Sequence, residues 1–352
     1  MRNLKWIAVF SCFASFLLWP LKEARGQQKE EFEAYISIGL LVDKSNEKEA
    51  SLAAQHAVEI INNRGGINGE KLKLIIRSVE GTWGAGSGKI VDLVFKDKVT
   101  AIVGSLDARN THLAEQVIAK TQMPFLSAWA SDPSLSNAYV SWFFSIVPND
   151  EQQAKALLHQ ICIERDILDL LVVFDGTYDG EQAYKSLQEE AKQFPELTVY
   201  PHQINAERDI LNVAGKVREN KIESILLLGR ELSLEAIHKQ ILTSEISIPV
   251  FSNMAVYGSH SFLEEKSFIM PFANSWINSK EKRDPDYFKK KKYQGSLVGA
   301  LSFDAIMALS SAMKFSSGDR DDLKKCLSQL NYQGITGLIE FDALGRIKTS
   351  EK

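Results

Sequence analysis

The stretch YISIGLLVDKSNEKEASLAAQHAVEIINNRGGINGEKLKLIIR, residues 35–77, decides the fold class. Its first eight residues, 35–42, form a short apolar run that reads as a buried strand. Residues 49–64 then place Leu52, Ala53, His56, Ala57, Ile60 and Ile61 at i, i+1, i+4, i+5, i+8 and i+9, which is one face of a helix. Gly65-Gly66-Ile67-Asn68-Gly69 ends that helix with residues able to take left-handed backbone angles. Residues 71–77 are the next strand. A strand, a helix and a strand in this order imply a parallel pair joined by a right-handed crossover.

The same alternation extends outward. Residues 87–96 and 111–121 read as helices, and 99–104 and 124–127 as strands. The pattern restarts after a break near residues 144–150. Helices are predicted at 151–164, 179–193, 207–219 and 232–243, and strands at 170–174, 197–204, 223–228 and 249–252. Two such runs predict an α/β protein of two doubly wound, Rossmann-like lobes with parallel sheets. Toward the end, residues 284–293 hold the basic run Lys289–Lys292, read as a solvated helix face. Residues 297–314 read as a long amphipathic helix, 319–330 as another, and 334–345 as a short hairpin.

Composition agrees with two globular lobes. The 352 residues are 45% hydrophobic and 24% charged, and that length suits about two domains at roughly 100–200 residues each. Aliphatic residues throughout exclude a disordered chain, and three cysteines exclude a disulfide scaffold. Cys162 and Cys326, in helical-looking segments, are expected to be buried free thiols. The net charge of -4 argues against a nucleic-acid partner held through phosphates.

The only long apolar run lies at the N-terminus. Arg2 and Lys5 precede WIAVFSCFASFLLW, residues 6–19, and Ala24-Arg25-Gly26 offers a cleavage site before Gln27. Residues 1–26 therefore read as a cleavable export signal, with an uncleaved N-terminal anchor as the alternative. Phe10 is too bulky for a lipobox ahead of Cys12. Removing these residues, with four basic side chains and one acidic, takes the net charge from -4 to -7.

Enzyme motifs fail on inspection. Gly84-Ala85-Gly86-Ser87-Gly88-Lys89 sits where a phosphate loop would, but position 83 is Trp and position 90 is Ile, so the P-loop pattern is broken. The six histidines show no metal-ligand spacing, and no G-x-S-x-G elbow exists. No catalytic activity, cofactor or metal is expected. What remains is a row of polar and aromatic residues at strand ends, where open parallel sheets bind ligands. These turns are residues 105–111, 128–132, 175–180, 229–231 and 253–257. They hold Arg109, Asn110, Thr111, Trp129, Ala130, Ser131, Tyr178, Arg230 and Glu231. Arg109 and Arg230 fit a solvated surface as well as a site. Thr111 also fits a helix cap, Ser131 a cap for the turn at Asp132-Pro133, and Trp83 and Trp129 simple packing.

Several segments carry a family resemblance in their order and spacing. They include ISIGLL at 36–41, INNRGGINGEKLKL at 61–74, KDKVTAIVG at 96–104, MPFLSAWASDPSL at 123–135, FFSIVPNDEQQA at 143–154, VVFDGTYDGEQA at 172–183 and GITGLIEFDALG at 334–345. Across residues 35–347 the chain resembles type I periplasmic binding proteins of the leucine/isoleucine/valine-binding kind. The resemblance implies a non-catalytic, periplasmic solute-binding protein that presents its ligand to a membrane ABC permease. A sensory receptor component of the same fold is the alternative. It implies a first lobe of residues 33–147 and 272–340 and a second of 148–271 and 341–352, with hinges near 145–150 and 254–272. In the family, hydroxyls after the third strand hold a ligand carboxylate. Thr111 matches, but Ala108, Arg109 and Asn110 replace the serine run. Ala130 and Ser131 match the next binding turn, and Tyr178 matches the tyrosine that closes over the ligand. The family's ammonium-pairing acid aligns near the uncharged Ala255, with Glu231 as a neighbouring substitute. The expected ligand is a small carboxylate or amino-acid-like solute, held by Arg109, Thr111 and Ser131 with Tyr178 closing.

Overall fold

Two sheets share one connectivity. The computed structural model describes residues 35–80, 84–229, 236–237, 239–241, 247–255, 268–269 and 296–349. The export signal and its cut before Gln27, Cys12, Trp83, Arg230, Glu231, the basic run 289–292 and most of the 254–272 hinge lie outside the described residues. In the first sheet, β1 (Tyr35–Asp43) pairs in parallel with β2 (Lys71–Val79) and β3 (Ala101–Ser105). Strands β4 (Phe125–Ser127) and β5 (Phe143–Ser145) extend it to the order β2-β1-β3-β4-β5. The second sheet contains β6 (Asp169–Asp175), β7 (Thr198–Ile204), β8 (Ser224–Leu228), β9 (Val250–Ser252) and β10 (Phe268–Ile269). Its order, β7-β6-β8-β9-β10, repeats the first one strand for strand. In both, the order reverses between the first and third strands, which opens a crevice at their carboxyl ends.

Helices cover both faces of each sheet. Helix α1 (Glu47–Asn63) buries Ala50, Ala53, Ala54 and Ala57, and these small side chains let it lie close against a neighbour. Gly66 ends it with φ +75°, donating its N–H to the Ile61 carbonyl at 2.9 Å. A Cβ there would sit 2.1 Å from the Glu70 carbonyl oxygen, so only glycine fits this turn. Helix α2 (Ala85–Val91) continues into a π-turn at Asp92–Lys96, and α3 (Ala108–Thr121) follows β3. In the second lobe, α5 (Asp150–Leu158) also runs into a π-turn, His159–Ile163, and α6 (Tyr178–Ala191) follows β6. A capping box between Asn149 and Gln152 starts α5. A single apolar cluster runs from Leu40 and Val103 through Val147 to Leu171 and Leu227, so the two lobes share a continuous core at their junction.

The structure departs from the sequence reading at several points. Short elements were missed: β5, and α4 (Pro133–Asn137), whose five residues carry no period to read. The helix predicted at 207–219 is two, α7 (Glu207–Leu211) and α8 (Val213–Glu219). Helix α9 (Leu297–Met313) is not amphipathic: every residue except Ser311 is buried, because it is packed on all sides. Helix α10 (Arg320–Ser328) follows, and the late hairpin pairs β11 (Asn331–Gln333) with β12 (Leu338–Glu340). Cys162 and Cys326 are free but half-buried.

Residues 341–352 were expected in the second lobe. Instead Arg346 bridges Ser145 in parallel at the edge of the first sheet, with Ser145 N–H on the Gly345 carbonyl at 2.8 Å and Ile347 N–H on the Ser145 carbonyl at 2.9 Å. The Gln152 amide of α5 then donates to the Ile347 carbonyl at 3.0 Å. This segment runs beside the 145–150 connection and ties it to the first lobe.

Candidate functional site

A cavity of about 410 Å³ opens where the strand ends of the two sheets converge. The first lobe lines it with Asp43, Ser45 and Asn46 after β1, Asp107 after β3, and Trp129, Ala130 and Ser131 after β4. The second lobe adds Thr177 and Asp179 after β6, Gly229 after β8, and Asn253, Met254 and Ala255 after β9. Equivalent strands of both sheets thus face one space, as the shared topology requires. Val147 and Gln153 close it near the junction. Gln153 is 3% exposed, accepts the Met254 N–H at 2.9 Å and donates to the Pro148 carbonyl at 2.8 Å, so it braces the second-lobe wall against the connection.

Three carboxylates stand on the polar side of the cavity. Asp107 caps α3 by accepting the Asn110 N–H at 2.7 Å. The Asp43 carboxylate accepts the Asp107 N–H and, at 3.1 Å, the Asn110 side-chain amide. Asp179 reaches from α6 of the second lobe to accept the Ala108 N–H at 3.2 Å. Three carboxylates therefore gather at one helix N-terminus, where the partial positive charge and exposed N–H groups favour anions. Among the described lining residues none is Lys, Arg or His.

At the other helix end, Thr177 caps α6 on the Gly180 N–H at 3.2 Å. Its own N–H and hydroxyl turn inward to Asp175, which is 2% exposed. Gly180 and Gly229 pack against that carboxylate. A Cβ on Gly229, at φ +118°, would lie 2.6 Å from Asp175 Cγ. Asp150, fully buried behind Ser131, donates its N–H to the Ser131 carbonyl at 2.7 Å. Burial holds its carboxyl well above the usual carboxylate range; a bond from the Ser131 side chain opposes this and the charges of Asp179 and Asp132 add to it.

Beside the cavity, three groups join the lobes. The Tyr178 hydroxyl donates to Asp132 Oδ2 at 2.8 Å, and His112 Nε2 lies 2.9 Å from the same oxygen. The hydrogen bond to Asp132, then that to Glu115, pushes His112 up to about 9. Burial works to raise Asp132, but bonds from His112, Ser134 and Tyr178 outweigh it and bring it down to about 2. Burial, with the bond to Asp132, pushes Tyr178 up to about 12.

The residues expected from sequence divide into three groups. Trp129, Ala130 and Ser131 line the cavity. Tyr178 stands beside it on Asp132, with the Arg109 guanidinium 5.6 Å from its ring centre. Arg109 itself is exposed, and Asn110 is spent on Asp43. Thr111 is 0% exposed and its hydroxyl donates to the Asp107 carbonyl at 2.7 Å. Where the carboxylate cradle of Arg109, Thr111 and the α3 terminus was expected, the chain's own carboxylates accept the N–H groups of Asp107, Ala108 and Asn110. Asp43, Asp107, Asp179, Gln153 and Asn253 were missed as lining residues. Asp107, Asp179 and Asn253 stand in the strand-end turns already singled out, and Asp43 directly follows Val42 in the same position.

A family model described as periplasmic binding protein matches residues 36–347. An amino acid binding protein of Pseudomonas aeruginosa is 22% identical over 311 residues, covering 85% of this chain and 82% of that one. The isoleucine complex of the branched-chain amino acid transporter substrate binding protein LivJ from Streptococcus pneumoniae superposes with a TM-score of 0.73 at 18% identity, covering 89% and 93% of the two chains. An ABC transporter solute binding protein of R. palustris, in complex with benzoate, gives a TM-score of 0.74 at 12% identity, covering 89% and 90%.

Proposed function

The chain belongs to the periplasmic binding protein family, and from that premise we propose that it is the exported solute-binding component of an ABC importer. Its solute is a small organic molecule held between the lobes by the turns after β1, β3, β4, β6, β8 and β9. The observation that carries this reading is the 410 Å³ cavity lined from the equivalent strand ends of both sheets. Its size suits a small-molecule site. Relatives named for amino acid binding and for ABC transport support the transport role. The membrane permease is the partner, and residues 1–26 deliver the chain to the periplasm.

The lobes close about the connection at 145–150, where Ile146, Val147 and Asn149 are buried. A solute touching both lobes binds best when they are together, so it shifts the population that way. The test is a thermal-shift screen of the secreted chain against amino acids, amides, amines, sugars and aromatic acids, followed by small-angle scattering. A binder that reduces the radius of gyration supports the reading. A library without a binder, or a saturating binder that leaves the radius unchanged, overturns it. N-terminal sequencing of the exported form should begin at Gln27.

A further inference from the structure

At the amino ends of their strands, away from the cavity, the two lobes differ. All four exposed aromatic side chains among the described residues belong to the first lobe: Tyr35, Phe95, Tyr139 and Phe315. Tyr35 starts β1, Phe95 and Tyr139 stand in the connections leading into β3 and β5, and Phe315 follows α9. The Arg320 guanidinium donates to the Thr121 carbonyl at 3.0 Å and to the Val99 carbonyl at 3.4 Å, just ahead of β4 and β3, so the turn after α9 lies at the same end. From the turn ahead of β2, the Asn68 side-chain amide donates to the Lys314 carbonyl at 3.3 Å. Phe315 is 82% exposed and Tyr139 76%. Tyr139 also holds φ +56°, uncommon for so bulky a residue, and its ring gains no burial there. The π-turn at Asp92–Lys96 buries Leu93 and Val94 and leaves Phe95 and Lys96 outside.

Charge separates the two lobes in the same way. At the first-lobe end, residues 64–71, 96–100, 120–124 and 314–320 carry seven basic and three acidic side chains. At the second-lobe end, residues 164–169, 190–198 and 218–224 carry four basic and seven acidic. The chain as a whole is acidic, at -4, so the first-lobe end is a local reversal of sign. Lys96, Lys98, Lys120 and Lys314 are exposed there and form no ion pair with the described residues. Of the acids at that end, Asp97 is matched by Arg77 at 2.6 Å.

We propose that this end of the first lobe seats on an anionic lipid surface, its exposed lysines at the headgroup phosphates and its aromatic rings in the interface. Aromatic rings and lysine stems carry both apolar and polar parts and settle at headgroup level. Each lysine near such a surface adds attraction that salt screens. The acidic end of the second lobe is repelled by the same surface, which fixes the orientation. The cavity stands at the other end of the strands, so a seated chain keeps it open. The proposal goes beyond the solute-binding reading and holds whichever solute the cavity takes.

Co-sedimentation of the secreted chain with vesicles tests this without any solute. Vesicles of phosphatidylglycerol and phosphatidylethanolamine in equal parts are compared with phosphatidylcholine alone at low ionic strength. The partition coefficient on the anionic vesicles should be at least about tenfold higher, and about 0.5 M sodium chloride should remove most of that difference. The triple variant Lys96→Gln, Lys120→Gln and Lys314→Gln should lower it on the order of tenfold to a hundredfold. Phe95→Ser with Phe315→Ser should lower it on the order of tenfold. Lys192→Gln with Lys221→Gln, on the second lobe, should change it less than about twofold. The replaced side chains are exposed, so all three variants should melt with the parent. Equal partition on the two kinds of vesicle, no binding to the anionic ones, or a partition indifferent to both first-lobe variants overturns the proposal. So does light scattering that shows the chain associating with itself without vesicles and the lysine triple abolishing that association, since the occupant is then the acidic end of a second copy.

Discussion

The starts of α3 and α6 meet at the crevice, α3 after the third strand of the first lobe and α6 after the first strand of the second, and they are finished differently. The α6 start is settled within its own lobe: Thr177 caps Gly180 and directs its N–H and hydroxyl to the buried Asp175. The α3 start is settled jointly. Asp43 arrives from β1 of the same lobe and Asp179 from the other lobe. Lobe contact is therefore felt at α3, while α6 supplies a rigid edge that carries Asp179 and Tyr178 to it. The lesson is that topology fixes where a site lies but leaves open which lobe's groups complete it.

Breaking the self-contained end should have the largest effect. Asp175→Ala removes the acceptor of Thr177 N–H and Oγ and opens space against Gly180 and Gly229. We expect a loss of about 2–4 kcal/mol in denaturant unfolding, as for other buried networks deprived of one member. Tyr178→Phe tests the joint end. It deletes the 2.8 Å bond to Asp132 but keeps the ring. A bond to a charged acceptor is worth roughly 1.5–3 kcal/mol, so solute affinity should fall about tenfold or more, and scattering should show a larger radius of gyration. The melting temperature should move little.

The His112–Asp132 pair sharpens the comparison through pH. His112 is raised from 6.5 to about 9, so its contribution is complete below pH 6.5 and is lost as pH rises through 9. Asp132 is lowered from 3.8 to about 2, so its contribution is complete above 3.8 and is lost as pH falls through 2. Both are fully present only between those limits. Melting curves from pH 6 to 10 should show a decline in the parent chain that His112→Asn lacks, the two converging above pH 9. The smallest effect is expected for Arg109→Ala. An exposed guanidinium over an aromatic ring is worth about 0.5–1 kcal/mol, so affinity should change less than about fivefold. A hundredfold loss would return Arg109 to the site.

Much of the fold was legible in local pattern. The strand β1 and helix α1 were expected at 35–42 and 49–64 and occur at Tyr35–Asp43 and Glu47–Asn63, because apolar period and a glycine stop act over a few residues. Helix α9 misled because its burial on every side erases the period that marks an amphipathic face. Strand β5 was hidden because its three residues gain their partners from β4 and from residues 345–347. In the site, the turn holding Trp129, Ala130 and Ser131 was legible from its place after a strand. The role of Thr111 was not, since a threonine opening a helix reads the same whether its hydroxyl faces a ligand or its own backbone.

Sequence alone determined that this chain alternates strands and helices in two runs, that its polar turns stand at strand ends, and that it resembles a solute-binding family, because each of these is written in residues a turn or two apart. Only the tertiary structure decided what the α3 terminus holds. Asp43 stands 64 residues before Asp107, and Asp179 stands 71 residues after Ala108. Backbone N–H groups donate to whichever carboxylate the packing of both lobes brings within reach, and no local pattern records that distance.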